Sequence, residues 1–200
     1  MSASRMSNRE QFINIMSQVE RDGVKDLLDW LETTDFYSAP ASTRFHGSYP
    51  GGLVVHTLNV AYELRELIKF YDIQGIPKDS IIIVALAHDF CKINTYQETM
   101  VNVPPQRTKS GKWEQQLGYK KSEYFKLGHG AKSLSILQDF IKLEDYEKEA
   151  IYWHMGAYDI STLSSTNNLY DVFEENKLAF LLHMADMVAT YIVETKGGEE

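Results

Sequence analysis

The sequence predicts an all-α fold, a helical bundle with a small β-hairpin-like insertion at about 95–127. Apolar residues recur at helical spacing over long stretches, and this pattern gives way between Asn94 and Leu127. Within that interval, strand-like runs flank Ser110-Gly111, a pair typical of a turn. The 200 residues, 44% of them hydrophobic, can bury the core of one domain spanning 1–200.

A helical N-terminal segment is expected at 9–33, where apolar residues follow a helical period on both sides of Gly23. Thr34 to Gly52 contains two prolines and three glycines and has little periodicity, which predicts a long ordered loop. From Leu53 to about Phe70 the apolar positions form a broad helical face. This helix carries His56 one turn from its start, so the imidazole should lie on a rigid element.

The apolar run Ile81 to Ala87 predicts a central helix that is apolar all round. Its β-branched residues would also suit a buried strand, and periodicity alone does not distinguish the two. Pro77, Asp79 and Ser80 precede the run and are typical of a helix start. We therefore expect a helix that ends in His88-Asp89.

Three further helices are expected after the insertion, at about Gly130 to Ile141, Leu143 to Met155 and Glu174 to Thr195. A polar connection rich in Ser and Asn, around Ser161 to Asn168, separates the last two. The acidic tail 197–200 should be disordered.

The insertion is rich in basic residues, and two interpretations of it remain open. A solvated surface segment is slightly favoured over a flap that contacts substrate. Its basic residues include Arg107, Lys109, Lys112, Lys120 and Lys121.

Charge and cysteine content exclude several functional classes. The net charge of −8 lacks the basic footprint of a protein that grips long nucleic acid. Cys91 is the only cysteine, so an intrachain disulfide and a thiolate cluster are both excluded, and a reducing, cytoplasmic setting fits best. The N-terminus lacks the apolar core of a signal peptide, and no apolar run approaches the roughly 20 residues that span a bilayer. We expect no membrane association.

The His88-Asp89 pair is the strongest chemical signal in the chain. An ionised carboxylate is costly to bury unless it is paired, hydrogen-bonded or bound to metal, and neutral imidazole is a common metal ligand. A lone histidine is usually structural, but several stand near helix ends beside glycines. Imidazole and carboxylate ligands without thiolate suit Mn, Fe, Ni, Zn or Mg in a catalytic site. The candidate partners are His56, His129, His154 and Asp186.

The order His56, His88-Asp89, Asp186 resembles the H...HD...D pattern of the HD-domain metal-dependent phosphohydrolases. The resemblance covers an HD core at about 39–195 and is closest to the HD domain of YhaM-like 3′–5′ exoribonucleases and to small stand-alone bacterial and phage HD proteins. Four segments carry it: Tyr49-Pro-Gly-Gly-Leu-Val-Val-His56-Thr-Leu, Ala85-Leu-Ala-His-Asp-Phe-Cys-Lys92, Leu127-Gly-His129-Gly and Trp153-His154-Met-Gly156.

The resemblance implies one or two divalent ions and assigns ligands to them. Asp89 would bridge the two ions and, with Lys92, act in catalysis. Lys92 would bind phosphate from the same helical face, although a lysine in a last helical turn also satisfies free carbonyls. One ion would be held by His56, His88, Asp89 and Asp186, and a second by His129 and His154 with Asp89.

Four further residues are assigned roles outside this ligand set. Arg44 and His46, on the loop before the His56 helix, could contact phosphate or a leaving group, and a purely structural role is nearly as well supported. His183 should support the site or pack in its helix and not bind metal. Cys91 stands where the family commonly has glycine, which should change the shape of the pocket.

These observations predict a metal-dependent phosphohydrolase that cleaves a phosphate ester or phosphodiester of a nucleotide or short oligonucleotide with metal-activated water. The partner would be a small phosphorylated substrate. Two alternatives remain: a 3′–5′ exoribonuclease, and a non-catalytic nucleotide-binding protein, since a fold does not guarantee chemistry. A third alternative is a metal site that is coordinatively closed and only stabilises the fold.

Overall fold

Helices form most of the molecule in a computed structural model that describes residues 6–122, 127–159 and 166–197. The described part of the chain contains eight α-helices and one two-stranded antiparallel sheet. This confirms the mostly helical class. The helices are α1 (Asn8–Met16), α2 (Val24–Leu31), α3 (Gly52–Phe70), α4 (Lys78–Ala87), α5 (His129–Gln138), α6 (Asp145–Trp153), α7 (Thr166–Glu175) and α8 (Lys177–Val188).

Helix α4 lies in the middle of the core, and α1, α3, α6 and α8 pack around it. Its residues from Ile82 to Ala87 are all buried, which explains why the run has no amphipathic period. The choice of helix over strand is confirmed. The two short N-terminal helices and the long loop before α3 are also found where the sequence predicted them.

The chain leaves α4 earlier than the sequence suggested. The helix ends at Ala87, His88 is its C-cap, and a 3-10 turn follows at Phe90–Lys92. The prediction that Lys92 projects from a continuous helix was therefore wrong, because the backbone of Asp89 departs from helical geometry with φ −105° and ψ 18°. The i to i+3 spacing nevertheless brings Lys92 and Asp89 together.

The C-terminal region also differs from the prediction. Helix α7 occupies the end of the expected polar connection, whose remaining residues, 161–165, lie outside the described ranges, as does most of the acidic tail. The expected helix Glu174 to Thr195 is interrupted because the Asn176 side chain caps a new helix, α8, by accepting a hydrogen bond from the Ala179 N–H. A π-helical segment at Ala189–Val193 and a 3-10 turn at Glu194–Gly197 then follow.

The insertion is a β-hairpin, as predicted. Strands β1 (Tyr96–Val103) and β2 (Glu114–Lys121) pair from Tyr96 opposite Lys121 to Val103 opposite Glu114. Gly111 lies in the connection with φ 66°, a conformation that favours glycine. The five basic residues of the hairpin are exposed, which agrees with a solvated segment.

No helix in the described ranges combines the length and apolar character needed to cross a membrane.

Candidate metal centre

The carboxylate of Asp89 is almost completely buried, and three nitrogens surround its Oδ2 atom. The Lys92 Nζ lies 2.6 Å away, the His56 Nε2 3.3 Å and the His88 Nε2 3.5 Å. The Asp186 Oδ1 lies 3.2 Å from the same His56 Nε2. This side of Asp89 therefore holds two imidazoles and a second carboxylate within the span of a single metal site.

The other oxygen of Asp89 faces the C-terminal half of the chain. His129 Nε2 donates a hydrogen bond to Oδ1 at 2.9 Å, and His154 Nε2 lies 3.8 Å from Oδ1. The Cys91 Sγ lies 3.9 Å from the same oxygen. All six residues expected to bind metal are thus brought together, with Asp89 between the two groups.

Close backbone approach at Gly52 positions His56. An ideal Cβ on Gly52 would lie 2.0 Å from the Gly47 carbonyl oxygen, so only glycine allows the loop to pack against the start of α3. The preceding Gly51 has φ 79°, and its N–H donates to the Ser38 carbonyl. These contacts fix the first turn of α3, and His56 follows on the buried face one turn later.

Close backbone approach at Gly130 positions the second group of ligand candidates, His129 and His154. A Cβ there would lie 2.1 Å from the Tyr152 carbonyl oxygen, so α5 can approach the end of α6 directly. His129 is the first residue of α5 and His154 is the C-cap of α6. Their ring centroids are consequently 5.7 Å apart.

Two histidines are held in the form that binds metal. The Nδ1–H of His88 donates to the Ala85 carbonyl at 2.8 Å, and the Nδ1–H of His154 donates to the Ile151 carbonyl at 2.7 Å. Burial lowers the pKa of His88 and lowers that of His154 to about 3, so both rings are neutral. Their Nε2 atoms are buried without a hydrogen-bond partner, and each presents a lone pair to the cluster.

Glu194 is a member of the site that the sequence did not reveal. Its carboxylate accepts hydrogen bonds from the His56 Nδ1–H at 2.9 Å and from the Asn59 amide at 3.0 Å. Burial alone would lower the pKa of His56, but its contacts with Asp186, Asp89 and Glu194 raise the pKa well above the usual value. The spacing of eight residues from Asp186, just over two helical turns, was the available signal.

Protonated groups balance the buried carboxylates. Burial opposes ionisation of Asp89, but Lys92 and the neighbouring imidazoles hold its pKa well below the ordinary value. His129 has a pKa raised to about 10, since Cys91 and Asp89 outweigh the effect of burial. Hydrogen bonding from His56 similarly lowers the pKa of Asp186 against the effect of burial. The donor set fits a divalent cation, which would replace protons on His56 and His129.

Of the remaining candidate residues, some reach the candidate metal centre and others do not. His46 reaches the site, with its ring 4.9 Å from that of His56, and burial lowers its pKa to about 4. Arg44 does not, because its exposed guanidinium lies over the Phe45 ring. His183 supports the backbone, since its Nδ1–H donates to the His154 carbonyl at 2.6 Å.

A small cavity of about 150 Å³ opens onto the cluster and gives it access to solvent. Its walls combine ligand candidates with the apolar side chains of Met155 and Met187 and the rings of Tyr158 and Tyr191. The candidate ligands Asp89, His129 and Asp186 line it together with His46 and Lys92. A group bound in this cavity would contact both the carboxylates and the Lys92 ammonium.

Comparison of the chain with protein-family models, curated proteins and solved structures gave no match. Imidazole and carboxylate donors beside a solvent-accessible cavity suit a cation that keeps open coordination positions, as catalytic sites do.

Proposed function

We propose that the protein is an HD-type metal-dependent phosphohydrolase that cleaves a phosphate ester or phosphodiester of a nucleotide or short oligonucleotide. One observation carries the proposal: the buried Nε2 atoms of His88 and His154 lack hydrogen-bond partners, and together with the Nε2 of His56 they surround the Asp89 carboxylate. Buried polar atoms are normally satisfied, so two unpaired nitrogens at one carboxylate are best explained by a ligand that they bind.

The group that these imidazole and carboxylate donors would bind is a divalent cation, with Mn, Fe, Ni, Zn or Mg as candidates. A bound ion would supply a nucleophilic water of lowered pKa and would polarise a phosphoryl oxygen. One ion would be held by His56, His88, Asp89 and Asp186, and a second by His129 and His154, with Asp89 shared.

Lys92 is proposed to bind the phosphate. Its ammonium lines the small cavity, and its pKa is raised because the attraction of Asp89 outweighs the effect of burial. It therefore stays positively charged at neutral pH and can donate hydrogen bonds to phosphoryl oxygens. The same ammonium forms an ion pair with the Asp89 carboxylate, so it can also orient that carboxylate.

A small nucleotide is favoured over a long nucleic acid because the chain carries a net charge of −8. One feature supports the second candidate, a 3′–5′ exoribonuclease. The hairpin has five basic and two acidic residues and an exposed Trp113, a combination that suits a single strand. We place either activity in the cytoplasm.

The test is turnover by protein loaded separately with Mn²⁺, Fe²⁺, Ni²⁺, Zn²⁺ or Mg²⁺. The substrates are nucleoside mono-, di- and triphosphates, cyclic nucleotides and short single-stranded RNAs. Hydrolysis of a mononucleotide faster than RNA supports the proposal, and faster 3′ shortening of RNA supports the exonuclease. Absence of turnover with every metal and substrate would refute both, leaving a nucleotide-binding or structural metal site.

A further inference from the structure

A second groove, of about 470 Å³, adjoins the small cavity at the candidate metal centre. The two share His46, Thr190 and Tyr191 as lining residues. The His46 ring, at the boundary, lies 4.9 Å from the ring of the ligand candidate His56. A substrate with its phosphate beside Asp89 would therefore extend into this groove.

Two aromatic rings line the groove and remain largely exposed. Phe45, on the loop before α3, is 64% exposed, and Tyr191, in the π-helical segment after α8, is 61% exposed. Single exposed aromatic residues are common, but two that line one groove next to a candidate phosphate site are not explained by chance exposure. Aromatic rings in such a groove suit a planar ligand that stacks on them.

Two polar side chains in the walls of the groove narrow the class of planar ligand that would fit. Glu194 lines the groove, its side chain is only 7% exposed, and its Oε2 has no hydrogen-bond partner. The Nε2 of His46 is likewise buried and unpaired. An apolar groove with a few polar groups is typical of small-molecule sites of this volume. A heteroaromatic ring that carries N–H donors and acceptors matches these walls better than a purely hydrocarbon group.

We propose that this groove binds the base of a nucleoside phosphate, with Phe45 and Tyr191 stacking on it while the phosphate lies beside Asp89 and Lys92. The inference rests on the proposed function and narrows it, because the substrate would be recognised by its base as well as by its phosphate. It also explains how a chain with a net charge of −8 can select a small anion.

The test compares nucleoside 5′-monophosphates of the four common bases with ribose 5-phosphate, which has the same phosphate ester but no base. The protein is the Mn²⁺-loaded full chain, as wild type and as the double variant Phe45→Ala/Tyr191→Ala. Loss of stacking should lower kcat/KM for the nucleotides at least about tenfold more than for ribose 5-phosphate. The matched control is Tyr170→Ala, which removes another exposed aromatic ring, in a groove away from the metal centre.

The possible failures are distinguishable. Turnover of nucleotides that is unchanged in the double variant, or reduced equally for both substrates, would overturn the base site and leave the proposed function standing. If nothing is hydrolysed, the proposed function fails, and calorimetric binding of AMP decides about the groove. Binding that weakens about tenfold in the double variant supports it. Absent or unchanged binding refutes it and leaves the aromatic pair as a contact for another apolar surface.

Discussion

Two buried carboxylates, Asp89 and Glu147, have opposite surroundings. Both side chains are almost inaccessible, at 2% and 0% exposure, and both lie beside a cation. Glu147 has strong partners on both oxygens: Arg21 donates from Nη1 at 2.8 Å and from Nη2 at 2.6 Å, and the Glu144 N–H donates at 2.8 Å. Around Asp89, by contrast, several imidazole nitrogens have no partner.

The polar groups around Glu147 also have hydrogen-bond partners. The Ser80 hydroxyl, which lies beside Arg21, hydrogen-bonds the Tyr146 hydroxyl at 2.7 Å. Such a network joins the N-terminal segment to α4 and α6 and stabilises the bundle by itself. A carboxylate with satisfied partners indicates a structural role, whereas a carboxylate among unpaired nitrogens and beside a cavity indicates a candidate ligand site. Burial alone does not distinguish them, but the partner atoms do.

The largest expected difference is in activity. Asp89→Asn removes the charge at the centre of the cluster and should reduce turnover by roughly 10³-fold or more, since metal assistance contributes several kcal/mol to transition-state stabilisation. Glu147→Gln, measured at a temperature where it is folded, should keep kcat near wild type. Similar losses in the two variants, with both folded by circular dichroism, would contradict the distinction between the two carboxylates.

Metal should stabilise the protein through one cluster only. Mn²⁺ at 100 times its Kd would add about 2.7 kcal/mol and raise Tm by roughly 5 to 10 °C for a chain of this size. Glu147→Gln should show the same increment, and Asp89→Asn should show none. Calorimetric melting with and without Mn²⁺ measures both, and an unchanged increment in Asp89→Asn would place the metal elsewhere.

Glu194 should act on metal affinity by positioning His56. Glu194→Gln keeps an acceptor for the His56 Nδ1–H but loses the charge, and such supporting residues typically change affinity by about 10- to 100-fold. Isothermal titration with Mn²⁺ measures the change independently of turnover. Glu98→Gln, on the exposed face of the hairpin, is the control, and equal affinities in the two variants would remove Glu194 from the site.

The smallest effect should be the stability change in Glu147→Gln. Burial would raise the pKa of Glu147, but the hydrogen bond from Arg21 and the others it accepts lower it below 4.5. Its ionised form therefore stabilises the fold above that pH, and the stabilisation is lost as pH falls through the lower folded-state pKa. We expect Glu147→Gln to cost about 1.5 kcal/mol at pH 7.

Urea unfolding of wild type and Glu147→Gln at pH 7 and pH 3 checks both sign and size. The difference between the two proteins should shrink at the lower pH. A difference that grows on acidification would contradict the lowered pKa.

Local patterns explain which parts of the fold were predictable. Helix α4 and the hairpin follow from an apolar run and from a turn at Gly111, signals that lie within a few residues. Helix α7 was missed because its polar residues masked Leu169, Val172 and Phe173, which recur at helical spacing. The break at Asn176 depends partly on a hydrogen bond from its amide to the Tyr146 carbonyl, 30 residues away in the chain.

The sequence by itself determined the mostly helical class and supplied the set of imidazoles and carboxylates that can bind a cation. The family resemblance also predicted that these groups converge on Asp89, but only tertiary packing decided that Glu194 joins them and that Arg44 does not. The physical reason is the separation along the chain of the residues involved. Helical periodicity depends on residues a few positions apart, whereas the contact between His56 and Glu194 spans 138 positions and exists only once the helices have packed.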